Sequence, residues 1–377
     1  MKSFKMSFKD KIKHIDPVLF SCMLVLSIVS ILTIIGAVDN FGMSKLKMQL
    51  AMTFAGMIAL FFVANTDYRF FVDRFAIIMF LGSALILAVT LIFGSTGENM
   101  ETANKSWLNI PLVNVAIQPS EFVKIAFVCT FSKHIDLVKD RINKPKALLG
   151  LALHAGIIVG LILLSGDLGV SLVYMGIILF MLYFAGLSVW YFVGGFAAIC
   201  LSLPFLWGFL RTDQQNRILF GFQPDLDPNG VGMQAILSRE TISSGGFWGR
   251  GMFGGGFYED LPASHTDFIF STVCEKFGFF GGFIVVTALV VMAIRLLWIA
   301  LSSRDFVGRL ICGGIAAVII VQTVENLWMC LAKVPVVGIT LPFVSYGGSS
   351  VFALYFLMGL AHSVYAKEQR FFFSRQK

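Results

Sequence analysis

The residues able to do acid–base or charge chemistry fall in a few short clusters. Leu261-Pro262-Ala263-Ser264-His265-Thr266-Asp267 gathers an imidazole, hydroxyls and a carboxylate just ahead of the apolar run Phe268-Ile269-Phe270. Partial burial at such a junction raises a carboxylate's pKa and its basicity, which makes Asp267 a candidate general base with His265 beside it. The same residues also suit a helix N-cap with His265 in water, and local spacing does not separate the two readings. In Gln118-Pro119-Ser120-Glu121-Phe122-Val123-Lys124, Glu121 and Lys124 stand three apart and share one helix face. They form either a structural ion pair or a cavity-lining pair whose lysine meets an anionic ligand; intramembrane pairs do both. Asp167 in Gly166-Asp167-Leu168-Gly169 caps the helix that follows or joins a polar site, and taken alone the cap is the simpler reading. Arg217, in Gln214-Gln215-Asn216-Arg217, is a candidate contact for lipid phosphate, although a lone interfacial arginine is more often an anchor. Ser349, in Ser345-Tyr346-Gly347-Gly348-Ser349-Ser350, opens an apolar helix whose N-terminal N–H groups attract anions; as close packing of small residues the segment is ordinary.

The elements that must position these clusters are membrane helices. Of 377 residues, 57% are hydrophobic and 14% are charged, against roughly 25% charged in soluble domains. A cytosolic enzyme, a DNA-binding protein and a disordered hub are thereby excluded. The six cysteines are scattered without metal-ligand spacing, and no Walker-type loop or GxGxxG motif stands on a strand-to-helix turn. Apolar runs of about 20 residues lie near 17–38, 46–66, 75–94, 118–135, 147–164, 168–185, 188–210, 282–301, 310–330 and 346–366. The expected fold is all-α: one polytopic membrane domain over 1–377, with ten transmembrane helices and a large extracytoplasmic loop, 211–281, between spans 7 and 8. Within that loop, 267–281 resembles a helix on or dipping into the outer membrane surface. With the basic segment 1–16 inside, the inner segments hold 19 Lys and Arg and the outer ones 8. The positive-inside rule then puts both termini, including 367–377, in the cytoplasm. The first apolar run is long enough to stay as an anchor.

Taken in order, the segments resemble the SEDS family (shape, elongation, division and sporulation), the RodA and FtsW proteins of bacteria. The resemblance runs through Trp107-Leu108-Asn109, Gln118-Pro119-Ser120-Glu121, Asp167-Leu168-Gly169, Arg217, Asp227-Pro228-Asn229-Gly230 and Ser244-Gly245-Gly246. It continues through His265-Thr266-Asp267-Phe268, Val337-Gly338-Ile339, Leu341-Pro342-Phe343 and Ser345-Tyr346-Gly347-Gly348-Ser349-Ser350, and so covers essentially the whole chain. Departures are Trp328 and Ala332 where small residues are usual, Gly166 and Thr340 for prolines, and Ala263 and Lys276 for acidic residues. The short N-terminus and the Asp-Pro-x-Gly stretch are closer to RodA than to FtsW.

The resemblance implies a peptidoglycan glycosyltransferase of the bacterial cytoplasmic membrane. Such an enzyme polymerises lipid II, a disaccharide-peptide on undecaprenyl pyrophosphate, at the outer face. It implies Asp267 as the base of one inverting displacement. Lys124, Arg217 and a divalent cation, Mg²⁺ or Mn²⁺, carry the leaving-group charge, and the metal ligands are unknown. Glu121, His265, Asp167 and Ser349 complete the expected substrate contacts. It further implies a class B penicillin-binding protein transpeptidase as partner, besides membrane lipid, and no nucleic acid. A lipid II flippase, a scaffold that only recruits the transpeptidase, and a division or sporulation paralogue with the same chemistry are the alternatives.

Overall fold

In the computed structural model the structure describes residues 15–95, 105–110, 115–209 and 212–374. Proline and acidic caps set where the chain enters its helices. Helix α1 (Pro17–Gly36) starts with proline in its first turn behind Asp16, whose carboxylate accepts from the Leu19 N–H at 2.9 Å. A short turn α2 (Val38–Phe41) leads to α3 (Met43–Ala64). Helix α4 (Tyr68–Phe93) is capped by Asp67. Helices α5 (Pro119–Val138) and α6 (Pro145–Leu164) again open on proline, and α7 (Leu168–Phe184) opens behind Asp167. There follow α8 (Val189–Phe209), α9 (Thr212–Phe222), α10 (Met233–Ser244), the short α11 (Phe257–Asp260), α12 (Ile269–Ser302), α13 (Phe306–Cys330) and α14 (Gly348–Ser374).

Among the described residues seven helices are long and apolar enough to cross a membrane: α1, α3, α4, α6, α12, α13 and, over Gly348–Gln369, α14. Their outward side chains, such as Phe54, Ile77, Leu85 and Leu153, are exposed and apolar. That surface suits lipid and would be intolerable in water. Helix α5 occupies the position of another expected span but carries Glu121 and Lys124; α7 and the apolar part of α8 are shorter. No described residue of α8 is buried. The innermost helices are α13 and α14, with Leu310, Ile311, Ile315, Leu357 and Met358 fully buried.

The helices run back and forth between two ends. One end is fastened by charge: Arg295 pairs with the buried Asp16 at 2.6 Å, and Tyr68 and Arg69 both bind Asp305. Here the Asp16 N–H donates to His362 Nδ1 at 3.1 Å. Within the bundle, α14 ties back to the start of the chain. The hydroxyls of Tyr355 and Ser27 lie 2.7 Å apart. Gln49 donates to Ser30 Oγ at 3.0 Å and to the Ser345 carbonyl at 3.4 Å.

The opposite end holds the irregular segments and differs from the expectation in two ways. The all-helical reading gains a small antiparallel ribbon, β1 (Leu108–Ile110) and β2 (Val115–Ile117), paired Leu108↔Ile117 and Ile110↔Val115, which feeds Pro119. The surface helix expected within 267–281 and the span expected from 282 form one helix, from Ile269, that runs through a break at Gly278, where φ is +66°. That left-handed conformation suits glycine, and a Cβ there would meet the Gly249 nitrogen at 2.3 Å. The charges before the break are satisfied by backbone. Glu275 accepts from the N–H groups of Gly256, Phe257 and Tyr258 at 2.9–3.0 Å. Lys276 donates to the carbonyls of Gly36 and Met252 at 2.9 and 3.2 Å and lies over the Tyr258 ring. These bonds pin the glycine-rich stretch 245–256 onto the start of α12.

Candidate active site

Asp267 lies in the turn just before α12. The helix cap is Phe268, and no side chain closes it. The Asp267 carboxylate is therefore not occupied as a cap, while its backbone is held firmly. Asn326, fully buried on α13, uses its amide to bind the carbonyls of Asp267 and Ile339, both at 2.6 Å. Ser345 adds a second tie. Its hydroxyl donates to the Thr266 carbonyl at 2.6 Å and accepts from the Leu341 N–H at 2.7 Å. The segments 265–267 and 338–346 thus form one rigid wall. Gly338 leaves the space beside the carboxylate open: a Cβ there would lie 3.3 Å from Asp267 Oδ2. Loss of water and the nearby Asp167 charge push the Asp267 carboxyl up to about 7, against the Thr266 hydroxyl, which favours the ionised form.

His265 forms the outer side of this wall. Its ring stands between Phe41 and Tyr346, with centroids 5.3 and 5.6 Å away. Its Nε2 lies 2.9 Å from Lys45 Nζ. An ammonium has only protons to give, so Nε2 accepts and the ring proton sits on Nδ1. Burial, with the Lys45 charge, lowers the His265 pKa to about 4, which keeps the imidazole neutral.

On the inner side Asp167 does cap α7, accepting from the Val170 N–H at 3.1 Å, and its other oxygen accepts from Gln118 Nε2 at 3.1 Å. Burial raises its pKa, with Glu121 adding to the effect. Gly169 lets α7 press on the wall, since a Cβ there would meet the Val337 carbonyl at 2.8 Å. Ser349, at the start of α14, accepts from the Gln118 N–H at 3.3 Å. One turn deeper, Lys124 and Glu121 pair at 2.8 Å, with side chains 1% and 3% exposed. The remaining carboxylate oxygen of Glu121 is buried without a partner, as is Oε2 of Glu325 on α13, which lies within electrostatic reach of Lys124. Asp267, Asp167, Ser349, Glu121 and Lys124 therefore form one polar column, with His265 at its rim. Arg217 falls on α9, but its side chain lies outside the described residues. Among the described residues no three His, Cys, Asp or Glu side chains converge as a metal site.

The column can accept a proton at Asp267 from water-exposed chemistry and meet negative charge at Lys124. Comparison with known proteins identifies the family. A family model described as "Cell cycle protein", covering FtsW, RodA and SpoVE, matches residues 13–370. The chain belongs to this family. Among FtsW/RodA/SpoVE relatives it is 32% identical to the peptidoglycan glycosyltransferase MrdB of Escherichia coli K12, over 96% of each chain. It is 32% identical to a probable peptidoglycan glycosyltransferase FtsW of Trichlorobacter lovleyi, over 88% of this chain and 86% of that one. Among solved structures, a chain of a peptidoglycan synthase complex described as coordinating polymerization and crosslinking superposes with a TM-score of 0.79 at 26% identity. That superposition covers 94% of this chain and 98% of the other. The rod shape determining protein RodA of Thermus thermophilus shares the fold, with a TM-score of 0.69 at 23% identity over 93% and 96% of the two chains.

Several residues of this candidate site carried no local signal. Lys45 reaches His265 across 220 positions of sequence. Asn326 acts through its amide, and its role appears only once α13 is laid beside the 267 turn. Glu325 reads as one more polar residue at a helix end until Lys124 faces it.

Proposed function

We propose that the chain polymerises lipid II into glycan strands as a peptidoglycan glycosyltransferase, with Asp267 as general base. The observation that carries this reading is an uncapped carboxylate, held by its own backbone, whose pKa sits near working pH. In the reaction a hydroxyl of the acceptor sugar attacks the donor's anomeric carbon. The new C–O bond forms as the bond to undecaprenyl pyrophosphate breaks, and the hydroxyl proton passes to Asp267. One displacement converts an α donor bond into a β glycan bond. The leaving group is already anionic, so it needs positive charge rather than an acid. Lys124 and Arg217 are assigned that role. A divalent cation, Mg²⁺ or Mn²⁺, would add positive charge there when bound. Neutral His265 and Ser349 hydrogen-bond sugar or phosphate at the rim. The direct test is purified protein given lipid II: polymer of the parent, absent with Asp267→Asn, supports the reading, and lipid II returned unchanged by well-folded parent overturns it.

The buried Glu121–Lys124 pair also suits a flippase. Reconstituted vesicles separate the two, since a flippase moves lipid II across the bilayer without lengthening it.

The reading includes ten crossings, with α5, α7 and α8 completing the set, both termini in the cytoplasm, and the 211–281 segment outside, where lipid-linked sugars are presented. A cysteine placed at Asn229 in a cysteine-free background is expected to react with an impermeant maleimide in intact cells. Labelling only after the membrane is breached would reverse the map. The partner is a class B penicillin-binding protein, in line with the synthase complex that the fold resembles, and the setting is cell-wall elongation or shape control, with a division or sporulation role as the alternative.

The rate should follow the ionised fraction of Asp267. Below about 7 polymerisation falls about tenfold per pH unit, and above it the rate levels off. Asp167→Asn keeps the cap, since asparagine caps as well as aspartate, and removes a charge that raises Asp267. Its midpoint should therefore move to lower pH. Initial rates across pH for parent and variant check both statements; an unmoved midpoint would uncouple the two carboxylates.

A further inference from the structure

Beside Asp167 lies a small, partly open void of about 10 Å³. It has room for one water molecule or one bare ion. Thr90 of α4, Ser106 ahead of β1, Ser120 of α5, Ser165 at the end of α6 and Asp167 supply its polar lining, against leucine and isoleucine walls. Thr90, Ser106, Ser120 and Asp167 are 3–6% exposed.

The hydrogen-bond state of these oxygens is uneven. Hydroxyls on membrane helices usually turn back onto a carbonyl of the preceding turn. Ser83 and Ser132 do so here, and so do Thr90, onto the Ile86 carbonyl at 2.7 Å, and Ser165, onto that of Ile162 at 2.7 Å. Their protons are spent, so toward the void their oxygens can only accept. Ser120 stands in the first turn of α5 and has no earlier helical carbonyl to reach. Its hydroxyl is buried without a partner. Ser106 approaches the Asp167 carboxylate without closing a hydrogen bond. Among the described residues three buried hydroxyls have no partner: two line this void, and the third, Thr323, is on α13 outside it. Asp167 is also short of positive charge. Asp267 and Glu121 both act on it electrostatically, and Lys124 is bonded to Glu121.

We propose that this void binds one dehydrated monovalent cation of sodium size, held by the hydroxyl oxygens of Ser106, Ser120, Thr90 and Ser165 and by the Asp167 carboxylate. Hard oxygen donors with no nitrogen or sulfur select an alkali or alkaline-earth ion. A single carboxylate and a dry apolar wall favour unit charge, because Mg²⁺ gives up its water reluctantly. The ion neutralises Asp167 while leaving Asp267 accessible, and its site is separate from any cation carried in on a substrate pyrophosphate.

The test is equilibrium binding of radioactive sodium to the purified full-length protein, with no lipid II present, so its outcome is independent of the glycosyltransferase reading. We expect one saturable site, displaced by unlabelled Na⁺ and Li⁺ and not by choline. Melting should occur at higher temperature in sodium than in choline chloride at matched ionic strength. Ser120→Ala and Ser106→Ala should each weaken binding about tenfold or more, and Thr323→Ala should leave it unchanged. Folding of each variant is checked by its elution as a single species. Absence of saturable sodium, or parent-like binding by both serine variants, would reduce the void to a water site and overturn the proposal. Displacement by Mg²⁺ in preference to Li⁺ would overturn it in favour of a divalent site.

Discussion

Asp267→Asn is expected to leave expression, folding and lipid II binding near those of the parent while polymerisation falls about 10²–10⁴-fold, the range for loss of a positioned base. The substitution keeps the side chain's shape and its capping capacity, and it leaves untouched the contacts that hold residue 267, which run through its carbonyl to Asn326. What disappears is the proton acceptor. A purely structural role predicts a different pattern: because the cap of α12 is Phe268 and uses no side chain, asparagine would then be silent in every assay. Gel-based measurement of glycan length from purified lipid II, alongside the melting temperature, distinguishes the two. Glycan strands made at near-parent rate by folded Asp267→Asn would remove Asp267 as the base.

Lys124→Ala is the second large effect, and it acts on the fold as well as on the chemistry. The pair is almost fully enclosed, and Glu121 already has one oxygen without a partner. Taking away the ammonium strands a second oxygen close to Glu325. Breaking a buried pair from one side costs about 3–5 kcal/mol. Folded yield and activity should therefore fall together. Two further variants separate the contributions. Glu121→Gln with Lys124→Gln removes both charges and should restore folded yield without activity. Glu121→Lys with Lys124→Glu should restore yield better than activity if the lysine meets a phosphate. Equal recovery of both in the swapped protein would reduce the pair to a structural bridge. The readouts are monodisperse yield in detergent and polymerisation rate.

How much of this was legible in sequence varied with the physics behind each feature. The apolar runs announced themselves because crossing a bilayer constrains some twenty consecutive positions at once. Glu121 and Lys124 were visible as a pair because three residues apart on a helix means contact. The helix within 267–281 was legible, but not that it runs on into the span from 282 across the break at Gly278. The backbone groups that satisfy Glu275 and Lys276 come from the 252–258 segment and from Gly36, which no local pattern reveals. The β1–β2 ribbon escaped because three-residue strands are too short to show alternation. For Asp267 the cap reading fell once the cap was seen to be Phe268, and the base reading is the one proposed above. For Asp167 the simpler reading was right and incomplete, since the same carboxylate caps α7 and also holds Gln118.

The ties between α14 and the opening helices bear on how the molecule is made. Ser27 finds its partner in Tyr355, 328 residues further along, and Gln49 finds one of its partners at Ser345. Asp16 likewise meets His362. During synthesis the first helices therefore leave the ribosome and enter lipid with polar groups whose intended partners do not yet exist. Hydrocarbon itself offers them no partner, and a serine hydroxyl can meanwhile only turn back onto its own helix. The growing bundle must stay open along the α3 side, sheltered by the insertion machinery or by water from the interface, until α14 arrives and closes the ring. Nascent chains halted before α14 should consequently be protease-sensitive and short-lived even though nearly all of their membrane helices are already in place.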